Sequence, residues 1–81
     1  MPTVLMFASA REAAGRASDV IDGRTLGEVL DEASRRYGDG FAQVLAHSRV
    51  WLNGEAPDDE PHGTLCTTGD EIAVLPPISG G

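Results

Sequence analysis

Residues 71–81 read EIAVLPPISGG, an apolar strand followed by a stiff proline pair. Pro76 and Pro77 fix φ and lack backbone N–H donors, so they cannot continue a central strand. We therefore predict a final strand over residues 72–75 and an extended tail that leaves the sheet. The sequence thus divides into a globular domain, residues 1–75, and a C-terminal tail, residues 76–81.

The tail makes a main-chain carboxylate a candidate functional group. Six fully extended residues span about 20 Å, which is enough to carry the carboxylate of Gly81 into a partner's active site. Gly80 and Gly81 have no Cβ, so a narrow channel can close on the backbone. Gly81 is therefore the candidate reactive residue and Gly80 supports it. The alternative is an inert, frayed terminus.

The composition is that of a small acidic domain. A chain of 81 residues with 41% hydrophobic content forms one core without room for a deep catalytic pocket, so an enzyme that works alone is disfavoured. The net charge of -7 argues against nucleic acid and anionic membranes as partners, since no basic patch exists to neutralise phosphates. A basic protein partner fits this charge better.

The cysteine content and the hydropathy pattern indicate the compartment. Cys66 is the single cysteine, which excludes an intramolecular disulfide and a cysteine-ligated iron–sulfur cluster. No stretch approaches membrane-spanning length, and the start lacks a basic region followed by an apolar run. We expect a soluble protein of the reducing cytoplasm.

The first predicted elements are two strands and two helical segments. Residues 3–8 form an apolar run, and residues 17–21 follow a turn at Gly15, which favours a β-hairpin or meander. A capping box at residues 25–28 opens an amphipathic helix that Gly38 is placed to end.

A second helical segment, residues 39–46, is predicted to bury Phe41, Val44 and Leu45. After it, Asn53-Gly54 is the strongest hairpin signal in the chain, because a type I′ turn requires φ > 0 at both positions. The hairpin follows a predicted strand over residues 49–52. The resulting order, β-β-α-β-(β)-β, predicts an α+β fold in which one long helix covers one face of a mixed sheet.

Three blocks of the sequence carry a family resemblance. Residues 4–15 read VLMFASAREAAG, residues 50–55 read VWLNGE and residues 69–81 read GDEIAVLPPISGG. In that order they resemble the F-A-x-x-R-E-x-x-G turn, the V-x-V-N-G-E hairpin and the G-D-E-V-A-x-x-P-P-V-S-G-G ending of the MoaD family, the small subunits of molybdopterin synthase. The resemblance to these ThiS–MoaD sulfur carriers implies a ubiquitin-like β-grasp fold.

The resemblance also implies a function. An ATP-dependent, ubiquitin-activating-type enzyme would adenylate Gly81, and a sulfur donor protein would then displace AMP to give a C-terminal thiocarboxylate. That group would deliver sulfur to a pterin precursor inside the large synthase subunit. The chain would be a carrier rather than an enzyme, with no permanently bound cofactor. His47 and His62 lack metal-ligand spacing, so no metal site is predicted.

The partner contacts are predicted at the base of the tail and on the sheet. Strand alternation places Trp51 opposite Val50 and Leu52, so an apolar surface of Leu5, Phe7, Trp51 and Leu75 is expected on the face opposite the long helix. Arg11 either contacts the partner or braces the turn after the first strand. The predicted contacts are Phe7, Arg11, Trp51, Leu75, Pro76, Pro77 and Ile78.

The sequence departs from the family pattern at three places, and it leaves several rival functions open. Cys66 replaces a usual leucine and is interpreted as a core residue, with a catalytic or persulfide-bearing role as the alternative. Trp51 replaces a smaller residue, and the loop of residues 57–63 is unusually acidic. Rival functions are a sulfur carrier for cysteine, thiamine or secondary-metabolite synthesis, a ubiquitin-like protein modifier, and a binding module with an inert tail.

Overall fold

The described part of the chain forms a four-stranded sheet with three α-helices. The structure, a computed structural model, describes residues 1–77. A single 3-10 turn, Pro61–Gly63, lies in the loop before the last strand. The strands and helices, in chain order, are β1 (Thr3–Met6), α1 (Ala8–Ala14), β2 (Ser18–Val20), α2 (Leu26–Tyr37), α3 (Asp39–Ala46), β3 (Arg49–Leu52) and β4 (Glu71–Leu75).

The sheet is mixed, with strand order β2-β1-β4-β3. Strand β1 pairs antiparallel with β2 and parallel with β4, and β4 pairs antiparallel with β3. The two central strands are therefore the first and the last in the chain. The predicted α+β class is confirmed.

The core lies between one face of the sheet and the helices. Alternate residues of the central strands are fully buried, and they meet the apolar side of α2 and the ring of Phe41 from α3. The buried strand residues are Val4, Met6, Ile72 and Val74. Because side chains alternate along a strand, the residues between them face the other side of the sheet.

The predicted hairpin between the first two strands is wrong, because helix α1 separates them. Strands β1 and β2 do pair antiparallel, but residues 8–14 form a helix that buries Ala10. Alanine, arginine and glutamate favour helix formation, and Gly15 ends the helix at φ 76°. Residues 3–8 form one apolar run, so the sequence did not reveal that the strand ends before Phe7 and a helix begins after it.

The start of α2 follows the predicted capping box. Thr25 Oγ1 accepts the N–H of Glu28 at 3.1 Å, and Glu28 Oε1 accepts the N–H of Arg24 at 2.9 Å, one residue before the cap. The helix runs to Tyr37 and ends at Gly38, as predicted. The predicted helix over residues 39–46 is also confirmed.

The Asn53-Gly54 hairpin is confirmed. Its φ angles are 53° and 83°, and Leu52 and Glu55 exchange N–H···O bonds of 2.8 and 3.2 Å. The returning strand is reduced to this one bridge, Leu52↔Glu55. Strand β3 instead pairs along its whole length with β4.

A charged cluster joins edge strand β2 to the end of α2. The Asp19 carboxylate accepts the hydroxyl hydrogen of Tyr37 and an Arg36 N–H at 2.9 Å, and Arg16 lies 3.4 Å away. The hydrogen bond from Tyr37, assisted by Arg36, lowers the pKa of Asp19. Burial, followed by the hydrogen bond to Asp19, raises the pKa of Tyr37 to about 12.

We expect Tyr37→Phe to lower the free energy of unfolding by about 1.5–2 kcal/mol at pH 7, the lower part of the usual range for a hydrogen bond to a charged group. The variant keeps the edge-to-face contact with Phe41, whose ring centroid lies 5.2 Å away. A depressed carboxyl pKa stabilises the fold above the unfolded pKa of about 3.9, and the stabilisation is lost as the pH falls through the folded pKa. The difference from wild type should therefore shrink towards pH 3 in urea titrations.

The control is the same substitution in an Asp19→Asn background. There the loss caused by Tyr37→Phe should no longer change between pH 7 and pH 3, because the titrating carboxylate is gone. A difference in the Asp19 background that is equal at both pH values would contradict the assignment.

Candidate functional site

The base of the tail is held by the two neighbours of β4. Leu75, the last residue of β4, pairs with Arg49 of β3, and the Val74 carbonyl accepts the N–H of Phe7 at 3.3 Å. Pro76 is buried and Pro77 is exposed. The tail thus starts from a fixed point at the centre of the sheet. The predicted residues Ile78, Gly80 and Gly81 lie outside the described residues.

An apolar surface occupies the uncovered face of the sheet next to this base. The register places Leu5, Ala73 and Trp51 side by side on β1, β4 and β3. Trp51 is 38% exposed, and Leu5 and Leu75 are half-buried. We call Leu5, Phe7, Trp51, Ala73 and Leu75 the open-face patch. The predicted face is confirmed for Leu5, Phe7, Trp51 and Leu75, Ala73 is added by the structure, and the role of the patch in binding stays a prediction.

Phe7 extends this patch to the tail. It follows β1 directly and keeps extended backbone angles, φ -120° and ψ 154°, so the alternation of the strand continues to its side chain. The side chain is 43% exposed beside the end of β4. Contiguous apolar surface of this kind, rimmed by polar groups such as Arg49, is typical of protein interfaces.

A groove lies on the other side of the tail base, among the helices. It has a volume of about 360 Å³ and is lined by Ser9 of α1, by Gly40, Gln43, Val44 and His47 at α3, and by Pro76 and Pro77. None of these residues is an aspartate, glutamate, lysine or arginine. The groove was not predicted from the sequence, because it is formed by three segments that are distant in the chain.

Arg11 lies exposed on α1. Its main-chain carbonyl accepts the N–H of Gly15 at 2.9 Å, so the backbone of Arg11 braces the end of α1. Within residues 1–77 its side chain has no hydrogen bond or ion pair. The contact between the Arg11 side chain and a partner stays a prediction.

Cys66 packs against the core as a half-buried side chain. Its N–H donates to the Arg24 carbonyl at 2.9 Å, which fixes the segment beside the start of α2. Burial, followed by the charge of Asp70, raises the pKa of the thiol. The protonated thiol is a poor nucleophile at neutral pH, as expected of a residue that fills space.

His62 has a structural role, whereas His47 lines the groove. His62 forms a 2.8 Å contact with Asp31, and this hydrogen bond raises the pKa of His62. Its ring covers Gly27 of α2, where a Cβ would collide with it. Among residues 1–77, no three His, Cys, Asp or Glu side chains form a group that could hold a metal ion. No helix of that described part is long and apolar enough to cross a membrane.

Comparison with known proteins identifies the family. The ThiS family model matches residues 4–81. Small archaeal modifier protein 1 of Haloferax volcanii is 36% identical, over 94% of this chain and 95% of its own. The molybdopterin synthase sulfur carrier subunit of Drosophila sechellia is 34% identical, over 96% of this chain and 88% of its own.

Solved structures share the fold along almost the whole chain. The crystal structure of small archaeal modifier protein 1 from Haloferax volcanii superposes with a TM-score of 0.77 at 31% identity, and covers 99% of this chain and 98% of its own. A chain in the complex of subunits 1 and 2 of the molybdopterin-converting factor from Helicobacter pylori gives a TM-score of 0.70 at 25% identity, with 99% and 97% covered. The chain therefore belongs to the ThiS/MoaD family of small sulfur carriers with the ubiquitin-like β-grasp fold.

Proposed function

We propose that this chain is the sulfur carrier subunit of a molybdopterin synthase and that the carboxylate of Gly81 is its reacting group. The observation that carries the proposal is the base of the tail, where Pro76 and Pro77 directly follow the central strand β4. Gly81 lies four residues beyond Pro77, and the family match includes it. The similarity to the carrier subunit from Drosophila sechellia supports the choice of pathway.

The chemistry requires activation, because a carboxylate is a poor electrophile. A carboxylate oxygen of Gly81 attacks the α-phosphorus of ATP in an adenylating enzyme, and pyrophosphate leaves. Sulfide supplied by a sulfur donor protein attacks the acyl carbon, AMP leaves, and loss of a proton gives the thiocarboxylate. In the large synthase subunit the thiocarboxylate sulfur attacks a carbon of the pterin precursor and displaces an oxygen substituent from it, which leaves Gly81 joined to the pterin as a thioester. Water then attacks the acyl carbon of this thioester, which releases the Gly81 carboxylate and leaves the sulfur on the pterin as a thiolate.

In this scheme the chain supplies the reacting terminus and its partners supply the acids, bases and ATP. The large synthase subunit and the adenylating enzyme would both dock on the open-face patch, which adjoins the tail base. The similarity to a chain in the complex of subunits 1 and 2 of the Helicobacter pylori molybdopterin-converting factor supports the first of these partners. A half-buried single cysteine with a raised pKa suits the reducing cytoplasm, where we place the protein.

The tail is tested by changing its last residue. Deleting Gly81, or adding one alanine after it, should abolish thiocarboxylate formation, because either change moves the terminal carboxylate by one residue, about 3.5 Å, away from the position required for attack on ATP. The matched control inserts one alanine between Asp58 and Asp59, in the exposed loop, where insertions are tolerated. Each chain is incubated with the cognate adenylating enzyme, ATP and sulfide, and intact mass is measured for replacement of oxygen by sulfur.

The control should convert as fully as wild type, and all variants should keep the wild-type Tm. Equal conversion of the chain that lacks Gly81 would refute the proposed chemistry.

Docking is tested by placing the same charge at two exposed apolar residues. Trp51→Glu puts a charge into the open-face patch, whereas Leu65→Glu does so at a residue that is 79% exposed and outside the sheet. We expect Trp51→Glu to weaken binding to the large synthase subunit at least about tenfold, as for a central aromatic contact. Leu65→Glu should leave the Kd within about twofold. Calorimetric titration measures both, and equal weakening would contradict the assigned surface.

The second candidate is a protein modifier, which the similarity to small archaeal modifier protein 1 favours. A carrier returns as a free carboxylate after each cycle, whereas a modifier ends in an isopeptide bond to a partner lysine. We expect denaturing gels of cell extract, probed with an antibody, to show almost all of the protein as the free species. A ladder of higher-mass bands that resists reductant and disappears when Gly81 is deleted would instead identify a modifier.

A further inference from the structure

Asn53 and Gly54 form a dipeptide that deamidates readily in unfolded chains. Glycine has no Cβ, so the main-chain nitrogen of Gly54 can reach the Cγ of Asn53 without steric hindrance. Both residues are exposed, and a Cβ added at Gly54 would meet no atom within 4 Å. Within residues 1–77 the N–H of Gly54 donates no hydrogen bond. The attacking nitrogen is therefore accessible, and the freedom of the Asn53 side chain decides whether the reaction proceeds.

The fold restrains this side chain at both of its polar atoms. Asn53 Nδ2 donates to Asp70 Oδ1 at 3.1 Å, and Asn53 Oδ1 accepts the N–H of Glu71 at 2.9 Å. The hydrogen bond from Asn53, followed by that from the Thr67 N–H, lowers the pKa of Asp70. Asp70 is thus a charged acceptor at neutral pH, and hydrogen bonds to charged groups are among the stronger ones. A carboxamide that is bonded at both ends cannot turn its face freely towards an attacking nitrogen.

We infer that Asn53 is a deamidation site that the folded chain holds inactive, and that Asp70 is the residue that restrains it. In the reaction the deprotonated nitrogen of Gly54 attacks Cγ of Asn53 and a five-membered succinimide forms. The Cγ–Nδ2 bond breaks, and Nδ2 takes up a proton and leaves as ammonia. Water then opens either carbonyl of the ring, which gives aspartate or isoaspartate at position 53. Water is the only co-reactant, and the inference does not rest on the proposed function.

Deamidation would weaken the end of the sheet at which it occurs. The product carboxylate lacks the hydrogen that Nδ2 donates to Asp70, and it sets a second negative charge against that residue. Asp70 also joins two further segments, since its carbonyl accepts the N–H of Thr3 at 3.0 Å and its Oδ2 accepts the N–H of Thr67 at 2.8 Å. Isoaspartate adds one methylene to the main chain of a two-residue turn. The reaction would therefore disturb the end of β3, the strand that carries Trp51.

The test removes the restraint and leaves Asn53 and Gly54 unchanged. Asp70→Ala deletes the acceptor, whereas Asp70→Asn keeps an oxygen that can accept but removes the charge. Tyr37→Phe is the matched control, because it lowers the free energy of unfolding at the end of α2, without a hydrogen bond to Asn53. The proteins are incubated at mildly alkaline pH, well below the Tm of wild type, and wild type in denaturing guanidinium chloride gives the unrestrained rate.

Intact mass reports the replacement of NH by O, and peptide mapping locates it at Asn53, the only asparagine in the chain. We expect folded wild type to react at least about tenfold more slowly than the denatured chain. Asp70→Ala should react about tenfold faster than folded wild type, because a hydrogen bond to a charged group is worth a factor of that order. Asp70→Asn should lie between them, and Tyr37→Phe should be as slow as wild type.

Three results would overturn the inference. Equal rates for folded and denatured wild type would show that the fold does not restrain Asn53. Equal acceleration by Tyr37→Phe would assign the reaction to global unfolding. A slower reaction in Asp70→Ala would mean that the carboxylate promotes the attack instead of preventing it. If Asp70→Ala is unfolded at the incubation temperature, the comparison of Asp70→Asn with wild type decides, and equal rates for those two would refute the role of the Asp70 charge.

Discussion

The parallel ladder between β1 and β4 is the constraint on which the rest of the structure depends. It joins the first strand of the chain to the last, with Val4 opposite Ile72 and Met6 opposite Val74, and all four side chains are fully buried. Burial of each such side chain stabilises the fold by roughly 1.5–3 kcal/mol. A slip of one residue would reverse every side chain between the two faces. The register that buries this core is therefore the register that exposes the open-face patch and sets the start of the tail.

The same ladder fixes the point at which the tail leaves the sheet. The main chain leaves the sheet at Pro76 from a strand that is bonded to neighbours on both sides. The position of the tail base is then as well determined as the core itself, because any displacement of β4 would break the ladder. The first two residues of the tail add stiffness, since proline fixes φ.

Local sequence signals predicted the elements that local physics determines. The capping box at Thr25, the helix stop at Gly38 and the Asn53-Gly54 turn each depend on residues within a few positions of one another, and each is confirmed. Helix α1 was not predicted, because the apolar run of β1 continues without a break into the residues of the helix. The helix is stabilised by the burial of Ala10 against α3 and the sheet, which is a tertiary contact that the local sequence does not show. The position of Trp51 on the uncovered face of the sheet was predicted from strand alternation. The groove could not be predicted in this way, because Ser9, Gly40 and Pro77 are distant in the chain and come together only in the fold.

The distribution of charge separates two regions of the surface. The acidic side chains Asp58, Asp59 and Glu60 lie exposed in the loop before β4, and Asp31 lies near them through its contact with His62. The groove lining contains no carboxylate. On the open face Arg49 lies opposite Leu75 at the tail base, whereas the carboxylate of Glu71 lies at the other end of β4. A carrier that reacts through its terminal carboxylate, as we propose, would gain from this separation. Carboxylates close to the tail base would repel the phosphates of ATP and the developing charge on the acyl-adenylate, whereas distant ones can steer a basic partner at long range.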